Sequence, residues 1–230
     1  MTQQRLRITY RKTAEARDFQ SGRLSRAWID AFECAGLPLA RPEGSKRTRL
    51  EIGPPLPQDA TGEAELVDVL LDRPTAPVEV VTRLKEALPR GIEPVEAEEI
   101  GARLPSLQAS MQSACYRVTF DDSEVDPAML RARVQALMAL SELDWEEQRG
   151  ERVRRFDLRA FIYRLAVHEE PGRVVLDVRL ALSQERSARP ASVFAALGIE
   201  ARPLRLVRTQ IEVEQPRIAL RAWRERGRFQ

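Results

Sequence analysis

RLRITYR, residues 5–11, decides how this chain folds. Leu6, Ile8 and Tyr10 alternate with Arg5, Arg7, Thr9 and Arg11, the period-two signature of a strand with one face in a core. Downstream, Leu24, Ala27, Trp28, Ala31, Phe32 and Ala35 recur at three- and four-residue spacing, which predicts an amphipathic helix over 20–35 ended by Gly36 and Pro38. RLEIG (49–53) and ELVDVLL (65–71) read as strands. PVEVVTRLKEALP (77–89) reads as a helix with proline in its first turn and Gly91 past its end, and IEPVEAEEI (92–100) as a last strand. The order β-α-β-β-α-β is that of the ferredoxin-like or RRM-like unit.

The pattern then restarts. CYRVTF (115–120) is a strand, and PAMLRARVQALMAL (127–140) a helix with Asp126 as N-cap before Pro127. Residues 144–157 read as a polar hairpin turning at Arg149-Gly150. AFIYRLAVH (160–168) and RVVLDVRLAL (173–182) are strands, RPASVFAALG (189–198) is a helix, and PLRLVRTQIEV (203–213) is a final strand. The expected fold class is α+β: two tandem ferredoxin-like domains, residues 1–104 and 115–214, joined by a linker over 105–114. The second carries the inserted β-hairpin, and a basic tail, 215–230, follows.

Composition narrows the function classes. At 230 residues with 43% hydrophobic content the chain can bury a core, and a net charge of +2 does not by itself call for a polyanion. Of 37 basic residues, only Lys12, Lys46 and Lys85 are lysine. Arginine offers a planar bidentate fork for phosphate or carboxylate, although such a bias also arises from base composition or ion-pair networks. Two cysteines, Cys34 and Cys115, sit among apolar neighbours and read as buried thiols, with no Cys-x-x-Cys for zinc or an iron–sulfur cluster. MTQQRLRITYRK runs straight into a strand without an apolar h-region, and no segment is long and apolar enough to span a membrane. A cytoplasmic protein with no membrane partner is expected.

Few residues invite catalysis. The single histidine, His168, precedes Glu169-Glu170 with no sequence partner to make it a triad base. No Gly-rich phosphate loop occurs, Glu96, Glu98 and Glu99 read as a solvated strand end, and Asp121-Asp122 as a turn. The basic loop of Lys46, Arg47 and Arg49 is expected to lie beside Arg5, Arg7, Arg11 and Lys12 of the first strand. Together they form a candidate strip for phosphates, although a basic loop is also what a solvated turn looks like. Tyr10 is the one aromatic of the N-terminal strands, so a base-stacking platform is weak there. RRFDLRAFIYR (154–164) mixes Arg154, Arg155, Arg159 and Arg164 with Phe156, Phe161 and Tyr163, either an RNA-facing surface or a strand with core aromatics. Asp157 and Arg159 are placed for an internal salt bridge, and Arg159 is a further candidate for RNA.

Across RLRITYRKTAEAR (5–17), AGLPLA (35–40), Glu43-Gly44, RLEIGPPLP (49–57), ELVDVLL (65–71), LPRGIEPVEAEEI (88–100), SLQASMQSACYRV (106–118), RFDLRAFI (155–162), RPASVFAALG (189–198) and RLVRTQI (205–211), the chain resembles a known family. This is the radical-SAM-associated family of unknown function, found alone or fused C-terminal to cobalamin-binding radical SAM proteins. The resemblance marks Gly44, Pro54, Pro55, Glu65, Asp68, Asp157 and Arg208 as shared scaffold. It departs where relatives carry Ser-His-Leu-Asp, here FQSGRLS (19–25), and where they carry an aromatic and an Asn-Pro-His-Pro-like stretch, here SKRTR (45–49). What it implies is a non-catalytic accessory protein, without a cofactor of its own, working with a radical SAM protein. With the expected fold and the arginine surface, an RNA or nucleotide-bearing substrate is the expected cargo. A metal-independent RNA-processing or RNA-modifying enzyme using His168 or Asp157 as base is the alternative, and a purely structural interaction module a third reading.

Overall fold

The computed structural model describes residues 3–41, 48–101, 104–150 and 152–214. They form a mixed α+β structure with few helices and one large, mostly antiparallel sheet. In order come β1 (Gln4–Lys12), α1 (Ser21–Cys34), β2 (Leu50–Ile52), β3 (Thr61–Leu71), α2 (Pro77–Ala87) and β4 (Ile92–Glu99). A single turn, α3 (Leu107–Ser110), leads to β5 (Met111–Asp121) and α4 (Pro127–Ala139). A separate hairpin follows, β6 (Asp144–Arg149) with β7 (Arg152–Asp157). The chain then adds β8 (Ile162–Glu170), β9 (Arg173–Ala181), α5 (Pro190–Ala196) and β10 (Arg205–Val213).

Local chemistry accounts for most of these elements. Leu6, Ile8 and Tyr10 of β1 point into a core with Leu24, Trp28, Ala31 and Phe32 of α1 and Val80 and Leu84 of α2. Trp28 meets Tyr10 edge to face at 5.1 Å between ring centroids. Helix α1 ends in a Schellman motif: Gly36 takes φ +63°, its N–H reaches Glu33 O, and Leu37 N–H reaches Phe32 O at 2.9 Å. Asp126 caps α4 by accepting from Ala128 N–H at 2.8 Å, with Pro127 in the first turn. Cys34 is exposed and Cys115 half-buried, which corrects the reading of both as buried thiols. Six residues beyond Trp28, Cys34 falls on the outward side of α1.

Each half of the sheet repeats one strand order. The first runs β4-β1-β3-β2 and the second β10-β5-β9-β8, with the last strand of each half outside its first. Two separate cores lie beneath them. One is built on β1, β3, α1 and α2, and the other on β5, β8, β9, α4 and α5. Leu66, Leu107, Met111 and Ile211 make a small third cluster drawn from both halves.

The halves join because β3 is longer than its sequence pattern suggests. Its Val67–Val69 end pairs with β2, while Thr61 and Gly62 pair in parallel with Val207 and Arg208 of β10. Likewise β5 begins at Met111 rather than at Cys115, so part of the stretch expected as linker is strand. The tail from residue 215 and the loop residues 42–47 lie outside the described residues.

Candidate anion-binding groove

Lys12, Gly62, Arg208 and Tyr116 lie side by side across β1, β3, β10 and β5, where the two halves meet. Between Tyr10–Glu65 and Lys12–Gly62, strand β3 carries one residue more than β1, a β-bulge. Three residues apart in a regular strand, Gly62 and Glu65 would face opposite sides; the bulge returns them to one side. The Glu65 side chain therefore lies over Gly62, where an added Cβ would sit 2.5 Å from Oε1, and reaches Arg208.

Arg208 Nε donates to Glu65 Oε1 at 2.8 Å, and Nη2 donates to Oε2 and, at 2.7 Å, to Pro54 O. Nη1 reaches Pro55 O at 3.5 Å. The pair is almost wholly enclosed, with side-chain exposures of 1% and 4%. Burial pulls the Arg208 pKa down, but the charge and hydrogen bonds of Glu65, with help from the Tyr116 hydroxyl, outweigh it and leave it raised. The Tyr10 hydroxyl is pushed up by burial and then by Glu65, and that of Tyr116 by burial against the pull of Arg208. Four of the seven expected scaffold residues thus form a single network, the buried Glu65–Arg208 pair bonded to the Pro54 and Pro55 carbonyls.

Above this network runs a groove in two adjoining compartments that share Arg17, Asp59, Leu204, Arg205 and Leu206. The smaller, about 700 Å³, is lined by Arg11, Lys12, Thr13, Arg17 and Arg205 with Asp59 and Glu63. The larger, about 1170 Å³, lies between the Pro54–Asp59 loop, the start of α5 with Arg189 and Phe194, and residues 202–206, with Tyr116 and Arg208 at its floor. Seven basic side chains line the two against Asp59 and Glu63, a local excess of positive charge. Arg202 is held by Asp59 at 3.0 Å, Arg205 by Glu63 at 3.5 Å and Arg189 by Glu147 at 3.4 Å. Arg11, Lys12 and Arg17 have no ion-pair partner among the described residues. The Lys12 amine is held below the usual lysine range, chiefly by burial; Glu65 pulls it back up and Arg208 pushes it down. Nearby negative charge supplied by a ligand would favour its protonated form.

The expected basic strip is divided. Only Arg11 and Lys12 face the groove. Arg5 and Arg7 both close on Asp68, Arg5 Nη2 at 2.8 Å and Arg7 Nε at 2.8 Å, and Arg5 also donates to Leu104 O and Pro105 O. Asp68 offsets one of the two charges, and both guanidinium groups are held against the sheet rather than offered to the groove. Arg49 is exposed beside a separate depression near Arg5 and Glu51. Gly44, Lys46 and Arg47 lie outside the described residues. Sequence reading missed Arg17, Arg189, Arg202 and Arg205, which are scattered through the chain and carry no local motif.

The aromatic–basic segment also resolves into structure. Phe156 and Phe161 stack at 5.0 Å, with the Arg154 guanidinium over both, and both pack on the core. The expected Asp157–Arg159 salt bridge is replaced by backbone bonding. Asp157 Oδ1 accepts from Leu143 N–H at 2.8 Å and Arg159 N–H at 2.9 Å, while the Arg159 guanidinium donates to Met138 O and Ile162 O. Asp157→Ala leaves two N–H groups unpaired and is expected to cost about 1–3 kcal/mol, read as a lowered urea midpoint; an unchanged midpoint refutes the clasp. His168 sits elsewhere, on the exposed face of β8, with Nε2 3.1 Å from Asp177, which also holds Arg117. Burial and then Glu212 push the Cys115 thiol pKa up. Among the described residues there is no cluster of His, Cys, Asp or Glu fit to hold a metal, and no helix is long and apolar enough to cross a membrane.

No curated protein matches the chain. Among solved structures it is similar to a chain of a Cbf5-Nop10-Gar1 complex, at 14% identity over 90% of this chain and 48% of that one, with a TM-score of 0.49. A chain of the archaeal box H/ACA sRNP Nop10-Cbf5 complex follows at 16% identity, 91% and 49% coverage, and a TM-score of 0.45. An unknown protein from Galdieria sulphuraria aligns at 13% identity over 86% of this chain and 91% of that one, with a TM-score of 0.28. The chain spans about half the length of the first two, and superpositions this loose say nothing about function. By contrast, a family model matches residues 5–190, most of the described chain. The chain belongs to an uncharacterized protein family conserved in bacteria, DUF2344.

Proposed function

We propose that this protein is a non-catalytic accessory module that holds an RNA or nucleotide-bearing substrate for a radical SAM enzyme in the cytoplasm. The observation that carries the substrate class is the groove between the halves, where Arg11, Lys12 and Arg17 stand without acidic partners among the described residues. The strand order of each half, last-first-third-second, supports tandem ferredoxin-like domains with β6–β7 as the inserted hairpin. The radical SAM partner rests on the family resemblance, and any iron–sulfur cluster belongs to that partner, since this chain offers two cysteines on different elements. FQSGRLS, where the chain departs from its relatives, begins two residues after Arg17, but its Phe19 and Arg23 line a separate depression beside α1.

The RNA-processing alternative is less well supported. Asp157 spends an oxygen on two backbone N–H groups, and His168 pairs with Asp177 away from the groove. Binding to total small RNA across a salt series tests the proposal. The association constant is expected to fall linearly with salt on a log–log plot, losing about one unit of slope for each phosphate contact removed. Binding that is absent at low salt, or indifferent to salt, overturns it. Co-purification with the radical SAM protein encoded nearest its gene tests the partner.

A further inference from the structure

Resting on that reading of the groove, we propose that its ligand carries a terminal phosphate monoester on a nucleotide: a mononucleotide or the phosphorylated end of an RNA. The phosphate lies in the smaller compartment and the base in the larger. Charge argues for the monoester. An internal phosphodiester carries one negative charge, whereas a terminal phosphate carries about 1.5 to 2 at neutral pH. Arg11, Lys12, Arg17 and Arg205 line one compartment against Asp59 and Glu63, an excess of two positive charges and more than one diester offsets. Non-specific strand binders instead spread their cations along a track.

The other compartment is of different character. Pro54, Pro55, Leu56 and Phe194 line it, and Leu204, shared by both compartments, is 59% exposed. Against it a base ring can bury apolar surface. The smaller compartment falls within the range of small-ligand sites and the larger slightly exceeds it. Lys12 and Arg17 therefore serve the phosphate, and Leu204 and Phe194 the base.

Calorimetric titration of the full chain with adenosine 5′-monophosphate, adenosine and inorganic phosphate tests this. So do short RNAs of one sequence ending in 5′-phosphate, 3′-phosphate or hydroxyl only. The nucleotide is expected to bind at least about tenfold more tightly than adenosine, a difference of about 1.4 kcal/mol. A phosphorylated RNA end is expected to exceed the hydroxyl-ended strand by a similar factor. Arg17→Gln and Lys12→Gln are expected to weaken nucleotide and inorganic phosphate alike, while Leu204→Ser weakens the nucleotide alone. Binding of the free nucleotide without preference for phosphorylated RNA assigns the site to a small molecule; both preferences together assign it to RNA ends. Equal, salt-dependent binding of all three RNAs overturns the terminal-phosphate proposal and leaves the groove as a polyanion site. No binding of any RNA or nucleotide at low salt overturns both.

Discussion

Arg208→Met is expected to lower the unfolding free energy by about 3–5 kcal/mol. The cost arises less from the lost attraction than from what stays behind. Glu65 remains as a buried carboxylate without its hydrogen-bonded cation, and Pro54 O loses its donor at 2.7 Å. Equilibrium urea unfolding measures it; with a slope of about 1–3 kcal/mol per molar, the midpoint moves by at least about 1 M. Replacing both partners with apolar residues, Glu65→Leu with Arg208→Met, is expected to recover most of the loss, because the packed site then contains no charge. A single variant within about 1 kcal/mol of the parent contradicts the assignment. The loss also has a place. Strands β3 and β10 are paired through Thr61, Gly62, Val207 and Arg208, and the two main cores share no residue. Weakening the junction is therefore expected to separate one unfolding transition into two, seen as non-coincident fluorescence and circular dichroism curves.

Reversing the charge of the groove, with Arg11→Glu and Arg17→Glu together, is expected to reduce RNA affinity about 100-fold at low salt and the salt slope by about 2. Both side chains are exposed at the compartment mouth, so stability is expected to change little. Arg5→Gln is the informative contrast. Its guanidinium is tied to Asp68, Leu104 O and Pro105 O, so its loss is expected to lower stability and leave the salt slope unchanged. The opposite result, a slope sensitive to Arg5 and indifferent to Arg11 and Arg17, moves the binding surface to the other end of β1. Affinity is also expected to decline as pH rises through the lowered pKa of Lys12, since only its protonated form attracts an anion. The residues that set this dependence are Glu65 and Arg208 beneath Lys12, Tyr10 on its own strand, and Arg11, Arg17, Arg205, Asp59 and Glu63 around it.

Much of the fold was legible in short-range pattern. The alternation of residues 5–11, the Trp28–Phe32 face of α1, the Schellman end at Gly36 and the Asp126 cap are each set within a few residues, and the chain obeys them. The grouping of functional side chains was much less legible. Residues 61–64, Thr-Gly-Glu-Ala, look like the exit of a turn, yet they extend β3 into the strand that receives β10. Sequence reading assigned Arg5, Arg7 and Arg11 to one strip because they alternate identically.

From its sequence alone this protein is a chain of alternating strands and amphipathic helices, because side-chain periodicity and capping act over one or two turns of backbone. Tertiary structure alone decided which arginines are free. Asp68 lies opposite Arg7 and engages it together with Arg5, whereas Arg11 and Lys12 lie past the bulge, where the pairing of β3 with β10 brings Arg205 alongside them. Charge becomes a site only where the folded chain leaves it unpaired, and that depends on partners far away in sequence.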